Sequence, residues 1–145
     1  MTYLTMQAIK KSLGHKTLLY IAIAYSFAVT LLFFIPTGLL VSSETLEKNK
    51  IPHIDKLVHG ILFFTLIYLW QWYFYKRKIT ALQVFSTKAL FIALMFYGII
   101  VEVLQGFLPI PRGGDFFDFL ADLIGALLGI VAFNYFKNKI HSKNL

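Results

Sequence analysis

Four long apolar runs, separated by short polar stretches, dominate the chain. They cover about Thr17 to Val41, Leu57 to Tyr75, Thr87 to Gln105 and Phe116 to Phe136. Each approaches or exceeds the roughly 20 residues that a helix rising 1.5 Å per residue needs to cross a hydrocarbon core of about 30 Å. Backbone groups in lipid must be satisfied within the segment, so each run is expected to be an α-helix. The pattern predicts an all-α integral membrane bundle of four transmembrane helices. Residues 1–16 form a polar segment before it and residues 137–145 a polar tail expected to fray.

The first run follows Lys10, Lys11 and Lys16, as in a secretory signal, but its apolar stretch exceeds the length of a signal core. It is read as a retained anchor, with Val41-Ser42-Ser43 as a weak cleavage motif. Pro36 removes a backbone hydrogen bond and is expected to kink this helix.

Charge orients the bundle. Lys10, Lys11 and Lys16 precede span one; Lys76, Arg77, Lys78 and Lys88 bracket the second loop; Lys137, Lys139 and Lys143 follow span four. These are ten of the 14 basic residues, and the excess marks their side as cytoplasmic, with both termini there. All seven acids fall at the opposite end. Tyr68, Trp70, Trp72, Tyr73 and Tyr75, just before Lys76, suit a headgroup belt on the cytoplasmic side.

Composition agrees with a cell-membrane location: 58% of residues are hydrophobic and 14% charged, against about 25% charged in soluble domains. The net charge of +7 does not indicate a nucleic-acid binder, because the basic residues sit between apolar runs rather than on a folded polar surface. With no cysteine, thiolate chemistry and disulfides are excluded.

Ionisable groups inside spans cost about 2.5–3.5 kcal/mol each at a helix centre and need a reason. Asp55 and His59, four apart at the start of span two, share a helix face and are expected to touch. Glu102 and Gln105 lie near the end of span three. At 100° per residue, Asp115, Asp118, Asp122, Gly125 and Gly129 fall within a sector of about 80° on span four. Since spans two and four begin outside and span three ends there, the clusters meet at one extracytoplasmic depth. Asp122 should lie about 10 Å deeper than Asp115, extending the pocket into the outer leaflet. Gly125 and Gly129, at small-xxx-small spacing, point to close helix packing. Asp55, His59, Glu102, Gln105, Asp115, Asp118 and Asp122 are the candidate catalytic groups, with His59 oriented by Asp55 as acid or base. Lys56 and Arg112 are candidates for binding substrate; Arg112 can hold a phosphate or carboxylate in bidentate fashion or neutralise a neighbouring acid. Carboxylates with an imidazole are compatible with a divalent cation, but no compact ligand motif supports one.

Asp55-Lys56-x-x-His59, Glu102-x-x-Gln105, Arg112-x-Gly114-Asp115-x-x-Asp118 and Gly125, in this order, resemble the VanZ-like family of small bacterial multi-pass membrane proteins. The founding member of that family is associated with resistance to the glycopeptide teicoplanin. The family pattern usually carries asparagine where this chain has Asp122, so the resemblance implies that Asp122→Asn is well tolerated. It also implies a role at the cell envelope, possible readings being a protein that binds or modifies an envelope lipid or lipid-linked glycan and a non-catalytic accessory that acts through a partner. A transporter is the weaker reading, since four spans without a repeat offer little basis for alternating access.

Overall fold

A computed structural model describes residues 3–34, 54–77, 83–107 and 115–142. Four helices account for nearly all of them: α1 (Tyr3–Phe34), α2 (Ile54–Lys76), α3 (Gln83–Phe107) and α4 (Phe116–Ser142). No strand occurs among the described residues. Each helix holds a stretch long and apolar enough to cross a membrane: Lys16–Phe34, Asp55–Lys76, Thr87–Phe107 and Phe116–Ser142. The chain is a multi-pass helical membrane protein.

Helix ends differ from the expected spans where polar sequence continues a helix beyond its apolar part. The leader expected as a separate segment is the first part of α1, which runs unbroken from Tyr3. It contains no proline to interrupt it. The tail expected to fray is helical through Ser142, whose hydroxyl donates to the Lys139 carbonyl at 3.1 Å. Val41, Pro36 and the cleavage motif lie outside the described residues.

α2 is the central element, touching the other three helices and packing most extensively on α4. Glycines permit that approach. A Cβ built on Gly125 would run into the Gly60 carbonyl oxygen and come within 2.7 Å of the carbonyl carbon. One on Gly129 would lie 2.5 Å from Ile67 Cγ2 and 2.7 Å from the Phe64 carbonyl oxygen. Val29 and Phe33 of α1, Phe63 and Ile67 of α2, Val101 of α3 and Ala126 of α4 are among the buried residues that fill the core. The outer surface is apolar as well: Tyr20, Phe107, Phe116 and Val131 are all exposed. Such a surface belongs in lipid, where close packing and interhelical hydrogen bonds, rather than hydrophobic burial, hold helices together. Two such links are the Thr30 and Tyr97 hydroxyls, 2.9 Å apart between α1 and α3, and Trp70 Nε1, which donates to Ser26 Oγ at 3.1 Å between α2 and α1.

The aromatic run on α2, expected as a headgroup belt, also packs inward. Tyr73 is buried, Trp70 reaches α1, and Trp72 meets Phe133 of α4 edge-on at 5.3 Å between centroids. Amphipathic rings do both when one edge finds a polar partner and the face finds another helix.

Candidate functional site

The start of α2, the end of α3 and the start of α4 lie at the same end of the bundle and bring the polar residues together in two layers. The outer layer centres on Lys56. Its Nζ donates to Asp115 Oδ2 at 2.7 Å and Asp118 Oδ1 at 3.0 Å, with Asp55 Oδ2 at 3.6 Å. Asp115 is also the N-cap of α4: its Oδ1 accepts the Phe117 N–H at 3.0 Å, and its carbonyl accepts that of Asp118 at 2.9 Å. A capping carboxylate satisfies an otherwise orphaned helix donor and meets the positive end of the helix dipole. The Lys56 ammonium, followed by the Phe117 N–H, holds the Asp115 carboxyl below the usual carboxylate range, keeping it ionised at neutral pH. Lys56, expected to bind substrate, is thus engaged by the site's own acids.

The inner layer is His59, Asp122 and Glu102. His59 Nδ1 lies 3.1 Å from Asp122 Oδ1 and 3.8 Å from Glu102 Oε1. Asp122 has no exposed surface and His59 is 2% exposed. This corrects the expected pairing. Asp122 on α4, not Asp55, orients the imidazole, because the Gly60–Gly125 approach carries α4 across the His59 face of α2. Asp122, whose replacement by asparagine the resemblance implies is tolerated, is the most buried of the described acids. The site also needs residues the sequence did not single out. Phe33 of α1 lies over the imidazole, 4.7 Å between ring centroids. Gly98 of α3 leaves room for the Asp122 carboxylate, since a Cβ there would sit 3.2 Å from Oδ2 and 3.3 Å from Phe63 Cζ. A glycine inside an apolar span was the only signal available for it.

Glu102 links the layers. Its Oε2 accepts the Asp115 N–H at 2.8 Å, while its buried Oε1 has no hydrogen-bond partner among the described residues, as is true of Asp122 Oδ2. One ligand atom from each of His59, Glu102 and Asp122 can be chosen so that all lie within 4.8 Å of one another. Gln105, placed among the catalytic candidates, donates its amide to the Phe33 carbonyl at 2.9 Å. Gln105 therefore tethers α1 over the site. Arg112 lies outside the described residues.

Beside the site, a groove of about 680 Å³ runs between α3 and α4. Ile99, Val103, Phe107, Phe116 and Phe119 form its apolar walls, and Glu102 and Asp115 contribute its charged groups. The arrangement combines a paired imidazole and carboxylate capable of moving a proton, unsatisfied carboxylate oxygens able to accept donors or a cation, and an apolar groove alongside that reaches Glu102 and Asp115.

The profile of the VanZ/LLP1 family matches residues 2–137, and the chain belongs to that family. None of the curated proteins and none of the solved structures compared with it matches.

Proposed function

We propose that this protein binds an envelope lipid or lipid-linked glycan, with acyl chains against the groove between α3 and α4 and the headgroup at the carboxylates beside it. The observation that supports this reading is the continuity of apolar wall and acidic groups: Val103, half exposed on the groove, is one residue from Glu102, whose carboxylate reaches the Asp115 backbone. Lipid tails match the walls. The acids favour a headgroup rich in hydroxyl or amino donors, such as a glycan, and among the described residues the site's lysine, Lys56, is already held by Asp115 and Asp118. In this reading the polar end faces outside the cell, and an effect on glycopeptide susceptibility follows from altered availability of envelope precursors.

Orientation is testable by itself. Reporters fused after Lys139 or within residues 76–78 are expected to read cytoplasm, and one near Lys48 to read outside. An external C-terminus would reverse the face on which the lipid is sought.

For binding, the chain is purified in mild detergent and its retained lipids are identified by mass spectrometry. Val103→Trp fills the groove from an exposed position and should reduce the retained species at least tenfold without lowering membrane abundance. Ile92→Trp, also exposed on α3 but not among the groove residues, should leave retention unchanged. Equal lipid content in the wild type and both variants would sink the proposal.

A further inference from the structure

We propose that His59, Glu102 and Asp122 form a binding site for one first-row divalent transition-metal ion of the zinc class. The inference does not depend on the lipid reading, since the ion needs no lipid to bind.

Geometry is the first support. Bonds of about 2.0–2.1 Å from zinc to nitrogen and oxygen place tetrahedral ligand atoms roughly 3.3 Å apart. His59 Nδ1 stands 3.1 Å from Asp122 Oδ1 and 3.8 Å from Glu102 Oε1, which brackets that spacing. Small side-chain adjustments close the set around an ion.

Unmet polar atoms are the second. Asp122 is wholly buried, yet among the described residues its Oδ2 has no hydrogen-bond partner, and neither has Glu102 Oε1. Buried carboxylate oxygens are normally satisfied, and each such group left alone costs about 1–3 kcal/mol or more. A cation between them removes that cost.

Charge is the third. Lys56, the nearby lysine, is bound to Asp115 and Asp118 in the outer layer. Among the described residues, the imidazole is the only group able to carry positive charge that lies within 4 Å of the inner carboxylates. Two carboxylates and a neutral imidazole carry −2, which a divalent ion balances. A protonated imidazole would leave one negative charge over.

Donor type narrows the ion. Calcium takes six to eight oxygens and magnesium keeps much of its water, neither of which suits a buried site with an imidazole nitrogen. Imidazole with carboxylate suits zinc and its neighbours. Two of the ligands are also held in place: Glu102 Oε2 by the Asp115 N–H and the imidazole by Phe33. Outer contacts of this kind raise metal affinity.

The test uses the full chain in detergent, purified without a histidine tag and with His15, His53 and His141 replaced by glutamine, so that His59 is the only imidazole. After loading with zinc and dialysis, elemental analysis should find about one zinc per chain. His59→Gln and Glu102→Gln should each weaken zinc binding at least tenfold, and Asp118→Asn should leave it unchanged. Asp122→Asn retains an oxygen donor while losing a charge and should give an intermediate loss. Copper substitution gives a readout that does not require the variants to fold: paramagnetic resonance should show superhyperfine coupling to one imidazole nitrogen, which only His59 can supply. The proposal is overturned if the parent chain retains no zinc, if its copper spectrum lacks that coupling, or if folded His59→Gln and Glu102→Gln bind zinc as tightly as the parent. A metal-free outcome leaves the lipid experiment to stand or fall separately.

Discussion

Replacing Gly125 by valine is expected to deplete the protein from the membrane and to abolish cooperative melting of whatever remains. Even the single methyl of Gly125→Ala would place Cβ 2.7 Å from the carbonyl carbon of Gly60 and into the attached oxygen. Those obstacles are backbone, so no side-chain rotation relieves them and α4 must move off α2 as a body. Overpacking a core typically costs about 1–3 kcal/mol, and a contact against backbone should reach the upper end with alanine and exceed it with valine. The damage extends to the site. His59 Nδ1 meets Asp122 Oδ1 across this same interface, so separating the helices breaks the 3.1 Å contact. Gly14→Ala is the matched control: nothing lies within 4 Å of its added methyl, and an interior helical glycine replaced by alanine gains up to about 1 kcal/mol. Abundance in membranes and thermal melting in detergent measure both. Wild-type behaviour of Gly125→Val would mean that the α2–α4 contact does not carry the fold.

The spans and the acidic stripe were legible because each follows from a local rule. An apolar run of sufficient length gives a span, and 100° per residue gives a face. Asp118, Asp122, Gly125 and Gly129 do share the buried face of α4. The partner of His59 was not legible. Asp55, four residues away, was the nearest acid in sequence, whereas Asp122 is 63 residues away and reaches the imidazole only through the way α4 docks on α2. That docking depends on Gly60, which carries no polar group to mark it. The inward packing of the aromatic run on α2 was likewise not legible, because Phe133, against which Trp72 packs, cannot be paired with it from one helix alone. Gln105 stood among the catalytic candidates in the sequence; its bond to the Phe33 carbonyl, on a helix 72 residues away, gives it a packing partner that no local rule predicts.

Lys56→Met should destabilise the bundle by about 2 kcal/mol, between the 0–1 typical of exposed ion pairs and the 3–5 for removing one partner of a buried pair. Methionine keeps most of the apolar stem and removes only the ammonium, so the loss is electrostatic. Without it, Asp55, Asp115 and Asp118 face one another above Asp122 and Glu102. Adding Asp115→Asn and Asp118→Asn to Lys56→Met should recover most of the lost stability, because the triple variant has neither the cation nor the two acids nearest it. Pairwise cycles should rank the partners by burial before distance. Asp115 is nearest at 2.7 Å but its side chain is 39% exposed; Asp118, at 3.0 Å, is 11% exposed. Attraction between charges scales inversely with distance, so 0.3 Å changes it by only about a tenth, whereas the effective dielectric differs several-fold between solvent and interior. Coupling of Lys56 to Asp118 should therefore exceed that to Asp115. Asp55, at 3.6 Å and 40% exposed, should couple least. Melting in detergent across the three double-mutant cycles supplies the ranking. A dominant Asp55 coupling, or a triple variant no more stable than Lys56→Met, would show that Lys56 does not hold the start of α4 against α2 through these carboxylates.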